Sequence, residues 1–305
     1  MKLVTQPGGG VVPIVKAIDG ARKSIDVLIF RLDRMEIADA LSAAVKRGVT
    51  VRALIAHTNS GGEKSLRKLE MRLLEAGVTV ARTADDLVRY HGKMMIVDAR
   101  LLHVYGFNFT ALDIKRSRSF GVITRHRRFV AEAVKLFEAD CARQTFHSSC
   151  DRFIVSPDNA RERLTAFIAA ARHELLIYDP KISDSAILRA LADRVRAGVD
   201  VRIIGKVAGA KAALTSEKYP GKRLHVRAMV RDGNRVFLGS QSLRRLELDK
   251  RREVGLIVDD PSVVRGIHQT FEQDWAETPS GRKAVEQEKD EARAEDAPAE
   301  AAAAG

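Results

Sequence analysis

At 305 residues, 45% of them hydrophobic, the chain is long enough to bury a substantial core, as two ordinary domains or as one domain of two related halves. Two cysteines, Cys141 and Cys150, are too few for a disulfide scaffold, and neither a run of ~18 apolar residues nor a signal-like apolar core is present, so a reduced, cytoplasmic chain, peripheral at a membrane at most, is expected. The formal net charge of +12 divides into −3 from Thr278 onward and +15 before it, a balance that favours polyanions such as nucleic acid, anionic lipid headgroups or phosphate esters.

After the Gly8-Gly9-Gly10 loop, Val11 to Ala21 has helical spacing and Ser24 to Phe30 reads as a buried strand. Glu36 to Arg47 is an amphipathic helix closed by Gly48, followed by a strand over Val49 to Ala56, a helix over Gly62 to Ala76 and a strand over Val78 to Arg82. The pattern restarts near Ser156-Pro157-Asp158, with helices over Asn159 to Arg172 and Ser185 to Ala197 and strands over Glu174 to Tyr178 and Val199 to Gly205. Val207 to Arg223 reads equally as a loop at a cleft or a plain surface connection. Strands alternating with helices predict an α/β fold of two pseudo-symmetric halves, 1–150 and 151–277, each with a mixed, largely parallel sheet flanked by helices. The acidic, Ala-rich segment 278–305 holds too little apolar mass to fold and is expected to be a disordered tail, with at most a short solvated helix.

One stretch carries chemistry. His91-Gly92-Lys93 followed by Asp98 has the spacing H-x-K-x4-D, and alternation along an extended segment points the imidazole and the ammonium to one face. His225-Val226-Arg227 with Asp232 repeats the spacing 134 residues later, with arginine for lysine. The same offset carries Gly121-Val122-Ile123 onto Gly255-Leu256-Ile257 and Phe137-Glu138-Ala139-Asp140 onto Phe271-Glu272-Gln273-Asp274, so the chain is internally duplicated. A histidine from each half would place two acid/base groups on either side of one phosphate, one attacking phosphorus and the other protonating the leaving oxygen, while Lys93 and Arg227 neutralise the non-bridging oxygens. This chemistry needs no cofactor or metal, and the sequence shows no His/Cys/carboxylate cluster at metal-ligand spacing.

These residues resemble the signature of the phospholipase D superfamily, H-x-K-x4-D followed six residues later by G-S-x-N, present twice and clasping one site. The resemblance runs from about Val11 to Trp275, including the closing Phe271-Glu272-Gln273-Asp274-Trp275. It implies a metal-independent phosphodiesterase or phosphatidyltransferase acting through a phosphohistidine. The implied catalytic residues are His91, Lys93, His225, Arg227 and Glu253, the last as the carboxylate orienting His225. Asn108, Ser240 and Ser242 stand in or at the G-S-x-N slots as substrate-binding residues, and Asp98 and Asp232 are structural. Departures are Gly106 for the first hydroxyl, Ser242 for the second asparagine, Arg227 for lysine and Ser119 where the first half's carboxylate would stand.

The implied partner is a phosphodiester, with an anionic phospholipid at a membrane surface preferred and nucleic acid as the alternative; the chain is read as a monomer without a membrane span. A nuclease of the same superfamily and a degenerate, non-catalytic phosphate-binding module are the rival readings. His103 and His126 read as surface or strand residues. The basic runs Lys115-Arg116-Ser117-Arg118 and Arg125-His126-Arg127-Arg128 read equally as a polyanion path or a solvated face.

Overall fold

The computed structural model describes residues 1–57, 62–209 and 214–295. The first half runs β1 (Lys2–Gln6), α1 (Val12–Asp19), β2 (Ser24–Ile29), α2 (Met35–Lys46), β3 (Thr50–Ile55), α3 (Gly62–Glu75), β4 (Thr79–Arg82), β5 (Arg89–Tyr90), β6 (Met94–Val97), β7 (Leu101–Tyr105), α4 (Ala111–Arg116), β8 (Ser119–Thr124) and α5 (Arg127–Cys141). The second runs β9 (Phe153–Ser156), α6 (Ala160–Ala169), β10 (Glu174–Ile182), α7 (Ser185–Arg196), β11 (Asp200–Val207), β12 (Thr215–Glu217), β13 (Ala228–Arg231), β14 (Arg235–Gly239), α8 (Arg245–Asp249), β15 (Arg251–Val258), α9 (Pro261–Ala276) and α10 (Pro279–Glu295).

Each half builds a mixed sheet. The order β1-β8-β7-β6-β2-β3-β4 in the first is matched by β12-β11-β10-β13-β14-β15 in the second, with β9 on β15. Parallel pairing within each half is confined to β2-β3-β4 and β10-β11-β12, the strands joined through α2, α3 and α7, and the other pairs are antiparallel. The reason is local. Asp98 and Asp232 adopt φ of 53° and 49° and turn each motif strand straight back into the next, β6 into β7 and β13 into β14. Both carboxylates collect backbone N–H groups: Asp98 accepts from Arg22, Lys23 and Ser24 at 2.7–3.1 Å, and Asp232 from Arg172, His173 and Glu174 at 2.8–3.2 Å.

The strand runs Val27-Leu28-Ile29 and Leu175-Leu176-Ile177 are buried on both faces, which their unbroken apolar character requires. One face of the first sheet packs on α1, α2 and α3, and one face of the second on α6 and α7. The remaining faces share a single cluster with α5 and α9, in which Leu28, Met94, Phe137, Tyr178, Val254 and Phe271 are all buried. The sheets are therefore fastened to each other through a common core, and the motif strands lie against it.

Beyond residue 277 the expected disorder gives way to a helix, α10. Its first turn is tied down: Thr278 is fully buried and its hydroxyl accepts from Gly281 N–H at 3.1 Å, while Ser280 bonds Glu217. From Arg282 to Gln287 its side chains are exposed, as the composition requires. Residues 296–305 and the Lys/Ala-rich stretch 210–213 lie outside the described residues.

Candidate active site

Each motif histidine is docked on the opposite half. His91 and Gly92 donate their backbone N–H to the Arg252 carbonyl at 2.7 and 2.9 Å, and the short strand β5 just before them pairs in parallel with the start of β15. Gly92 is required there, because a Cβ would lie 2.9 Å from both Leu28 Cδ2 and Val254 Cγ2. The reciprocal contact is His225 N–H to the Arg118 carbonyl at 3.1 Å. Arg118 and Arg252 are themselves 134 residues apart, so the two contacts form a symmetric exchange.

This exchange overturns the pairing of Glu253 with His225. Docking His91 on Arg252 sets its ring beside the next residue, and Nδ1 lies 3.0 and 3.1 Å from the two carboxylate oxygens of Glu253. At the position equivalent to Glu253, Ser119 donates its hydroxyl to the His225 carbonyl at 3.1 Å. The carboxylate facing His225 comes from a residue without a role in the sequence reading, Asp113 in α4, whose Oδ2 lies 3.5 Å from Nδ1. That is an ion-pair separation, and Nδ1 of His225 has no hydrogen-bond partner among the described residues. Asp113 is held by the Asn108 backbone and side-chain N–H groups at 2.8 and 2.9 Å and by the Arg223 guanidinium. The signal for it in the sequence is Thr110-x-x-Asp113, a capping pattern just after the motif asparagine, with Asp113 N–H on Thr110 Oγ1 at 3.2 Å.

The cations complete the site. Lys93 is fully buried, and its Nζ lies 3.1 and 3.2 Å from the ring nitrogens of His91 and donates to the His91 carbonyl. Arg227 repeats this contact at longer range, Nη1 to the His225 carbonyl at 3.5 Å. Phe30 closes over the His91 ring edge-on at 4.8 Å between centroids.

The electrostatics follow from this packing. Burial, with the Lys93 and Arg227 cations nearby, lowers the His91 pKa to about 4 against the opposing pull of Glu253. Burial likewise brings Lys93 down to about 7. For Glu253 burial acts upward, but His91 and Lys93 outweigh it and hold the carboxyl at about 2. His225 is pushed well below the ordinary imidazole range by burial and then by Arg227, Lys93 and Arg223. At neutral pH the pair is thus a Glu253 carboxylate accepting from a neutral His91, which leaves the lone pair on Nε2.

The polar residues of the two G-S-x-N slots are engaged inside the protein. Ser242 donates to Asp179 at 2.5 Å, and burial raises the Asp179 carboxyl to about 6. Ser240 accepts from Val254 N–H at 3.1 Å, and Asn108 is committed to Asp113. Gly106 has a spatial reason: a Cβ there would lie 3.0 Å from the Gly239 carbonyl and from Ser119 Oγ. One carboxylate–imidazole cluster that the sequence reading did not find joins Glu174, His268 and Glu272. The Arg202 guanidinium occupies it, at 3.0 Å from Glu174 and 2.8 Å from Glu272, so it is an ion-pair network.

Comparisons with known proteins bear on the family and the fold. The chain is 32% identical over 127 residues to a protein of Danio rerio named mitochondrial cardiolipin hydrolase, an alignment covering 39% of this chain and 53% of the relative, so the chain spans about half the length of the curated relative it matches. Among solved structures, the polyphosphate kinase of Porphyromonas gingivalis superposes with a TM-score of 0.74 at 18% identity over 89% of this chain and 46% of its own. The phosphatidylserine synthase of Haemophilus influenzae gives 0.69 at 12% identity over 90% of this chain and 85% of its own. At such identities the likeness is one of fold. A family model described as "Cardiolipin synthase, PLD-like domain" matches residues 14–141 and 164–275 and so takes in both motif histidines, and by that match the chain belongs to the phospholipase D superfamily.

Proposed function

We propose that the chain is a phosphodiesterase or phosphatidyltransferase that works through a phosphohistidine on His91, with a phospholipid phosphodiester as substrate. The observation that carries this reading is the buried Glu253–His91 pair with Lys93 at the imidazole, faced by His225 from the other half. The His91 Nε2 lone pair attacks phosphorus; a P–N bond forms, the P–O bond to the leaving alcohol breaks, and that oxygen takes a proton from His225. Water or a second alcohol then attacks the phosphohistidine and gives its proton to His225, and the P–N bond breaks. Lys93 and Arg227 balance the charge on the non-bridging oxygens, and the substrate's own negative charge offsets the cations that hold His225 unprotonated in the free protein. The phospholipid choice rests on the family description and on the name of the Danio rerio relative.

Turnover of bis(p-nitrophenyl) phosphate with chelator present tests the roles. His91→Ala and His225→Ala are each expected to lose more than about 10⁴-fold in kcat, and a neutral-quench mass spectrum should show a p-nitrophenylphosphoryl adduct on wild type but not on His91→Ala. Cardiolipin vesicles and a single-stranded oligonucleotide, supplied in parallel, decide the substrate; cleavage of the oligonucleotide alone would move the reading to a nuclease. A second reading, a binding module without turnover, is favoured by the commitment of Ser242 and Asn108 to internal carboxylates and by Arg227 in the lysine position. Silence of both wild type and Arg227→Lys on all three substrates would select it.

The pH profile is a separate expectation. His91 must be unprotonated and His225 protonated. His91 loses its proton as pH rises through about 4, and His225, held well below the ordinary imidazole range by burial and the neighbouring cations, loses its own in the acid range. Lys93, at about 7, adds to the decline above it. A plot of kcat/KM is expected to peak in the acid range and fall towards neutrality; a maximum in the alkaline range would reject these assignments.

A further inference from the structure

The two halves serve as controls for each other, and at one crevice they differ. In the first half, α1 and the ends of β6, β7 and β8 border a cavity of about 470 Å³. It lies beside Asp98, at the far end of β6 from Lys93, roughly 15 Å along the strand at ~3.3 Å per residue. Lys16, Arg22, Arg100 and Arg125 border it. None of these four side chains has a carboxylate partner among the described residues. Asp98 also borders the cavity, but its oxygens are occupied by the three backbone N–H groups already described.

His103 lines the same cavity from β7 and is fully buried. Its Nδ1 pairs with the Tyr105 hydroxyl, while its Nε2 has no partner. The phenol, with no other partner among the described residues, donates to Nδ1, which leaves the proton on Nε2 as an unmet donor. Burial lowers the His103 pKa to about 3, so the ring is neutral.

The second half fills the equivalent crevice. Ala17 of α1 corresponds to Phe167 of α6, His103 to Phe237 of β14, and Val97 to Arg231. Phe167 and Phe237 are buried in the second half's core, and the Arg231 guanidinium stacks 4.8 Å over the Phe167 ring. Lys16, Arg100 and Arg125 correspond to Ala166, Asn234 and Asp259; of the four cations only Arg22 has a charged counterpart of the same sign, Arg172. The first half has therefore replaced two phenylalanines by Ala17 and His103, opened a cavity, and ringed it with cations. Packing alone accounts for the second arrangement but not for an open, cationic crevice above an unpaired buried donor.

We propose that this crevice is a second phosphate-binding site, separate from the active site, which takes a phosphate group, free or carried on a lipid headgroup, between Lys16, Arg22, Arg100 and Arg125 with the His103 Nε2–H beneath it.

The test is a titration of the full chain with inorganic phosphate, followed by the ¹⁵N resonances of the histidine side chains. Saturable movement of His103 Nε2 is expected, weakened at least tenfold in Arg100→Asn/Arg125→Asp, which installs the second half's residues, while the His91 and His225 resonances respond as in wild type. Ala17→Phe, which fills the cavity instead of changing its charge, is expected to weaken the His103 response in the same way. In a second arm, vesicles of phosphatidic acid in phosphatidylcholine are compared with phosphatidylcholine alone by cosedimentation. Retention that depends on Arg100 and Arg125 assigns a lipid-borne phosphate; no retention alongside a His103 response assigns the free ion. A His103 resonance that moves with neither probe, or moves in both variants as it does in wild type, overturns the proposal.

Discussion

Glu253→Gln is expected to lower kcat by about 10⁴-fold with KM within a few-fold of wild type, an effect of the size seen when the carboxylate behind a catalytic imidazole becomes an amide. The amide keeps the volume of a side chain that is wholly buried, so packing is preserved. What is lost is one of the two carboxylate oxygens, at 3.0 and 3.1 Å, that together hold the proton on Nδ1 of His91; the NH2 that replaces it is a donor and favours the opposite tautomer. The charge also matters. Glu253 is what opposes the burial of His91, so without it the imidazole titrates below about 4 and the limb of the pH profile that follows His91 moves to lower pH. Steady-state kinetics across pH check both parts. Wild-type kcat in Glu253→Gln would show that the pairing has no part in turnover.

Asp113→Asn comes second, with an expected loss of about 10²–10³-fold in kcat, the range of a positioned proton-transfer group. His225 is surrounded by Arg227, Lys93 and Arg223, all of which disfavour its protonated form. Asp113, at 3.5 Å, is the facing carboxylate. Removing its charge makes the imidazolium harder to form, so the limb of kcat/KM that follows His225 should shift to lower pH. The same change leaves Arg223 with Ser117 Oγ at 2.7 Å and without its ion-pair partner. Because the Arg223 side chain is about one-third exposed, the stability cost is expected to be about 1–3 kcal/mol, below that of a fully buried pair, and urea unfolding measures it. Unchanged kinetics alongside lowered stability would reduce Asp113 to a structural anchor.

The duplication was legible because the spacing of His91, Lys93 and Asp98 recurs at an offset that also aligns glycines and the Phe-Glu-x-Asp segments at Asp140 and Asp274. Helices α1, α2, α3, α6 and α7 and strands β2, β3, β4, β10 and β11 were legible from periodicity, whereas β1, β9 and the helices α4, α5, α8 and α9 were not read. The partner of Glu253 was not. Counting residues from His225 measures distance along one half, whereas the bond to His91 is set by the pairing of β5 with β15 across the two sheets. Asp113 was hidden for a related reason: it lies in a six-residue helix that no spacing rule joins to a histidine from the other half. The antiparallel hairpins were obscured by the alternation of strands and helices ahead of them, and the start of α10 by composition, which does not register that Thr278 and Ser280 are anchored.

The crossing of carboxylates between halves also bears on synthesis of the chain. When His91 is added to the growing chain, Glu253 is still 162 residues away from being joined to it. A nascent first half therefore carries an imidazole with no fixed tautomer, and His225 in turn meets Asp113 only after the sheets have docked. The reactive constellation is therefore complete only when the two sheets are docked on their common core, which makes it a built-in reporter of a correctly closed molecule.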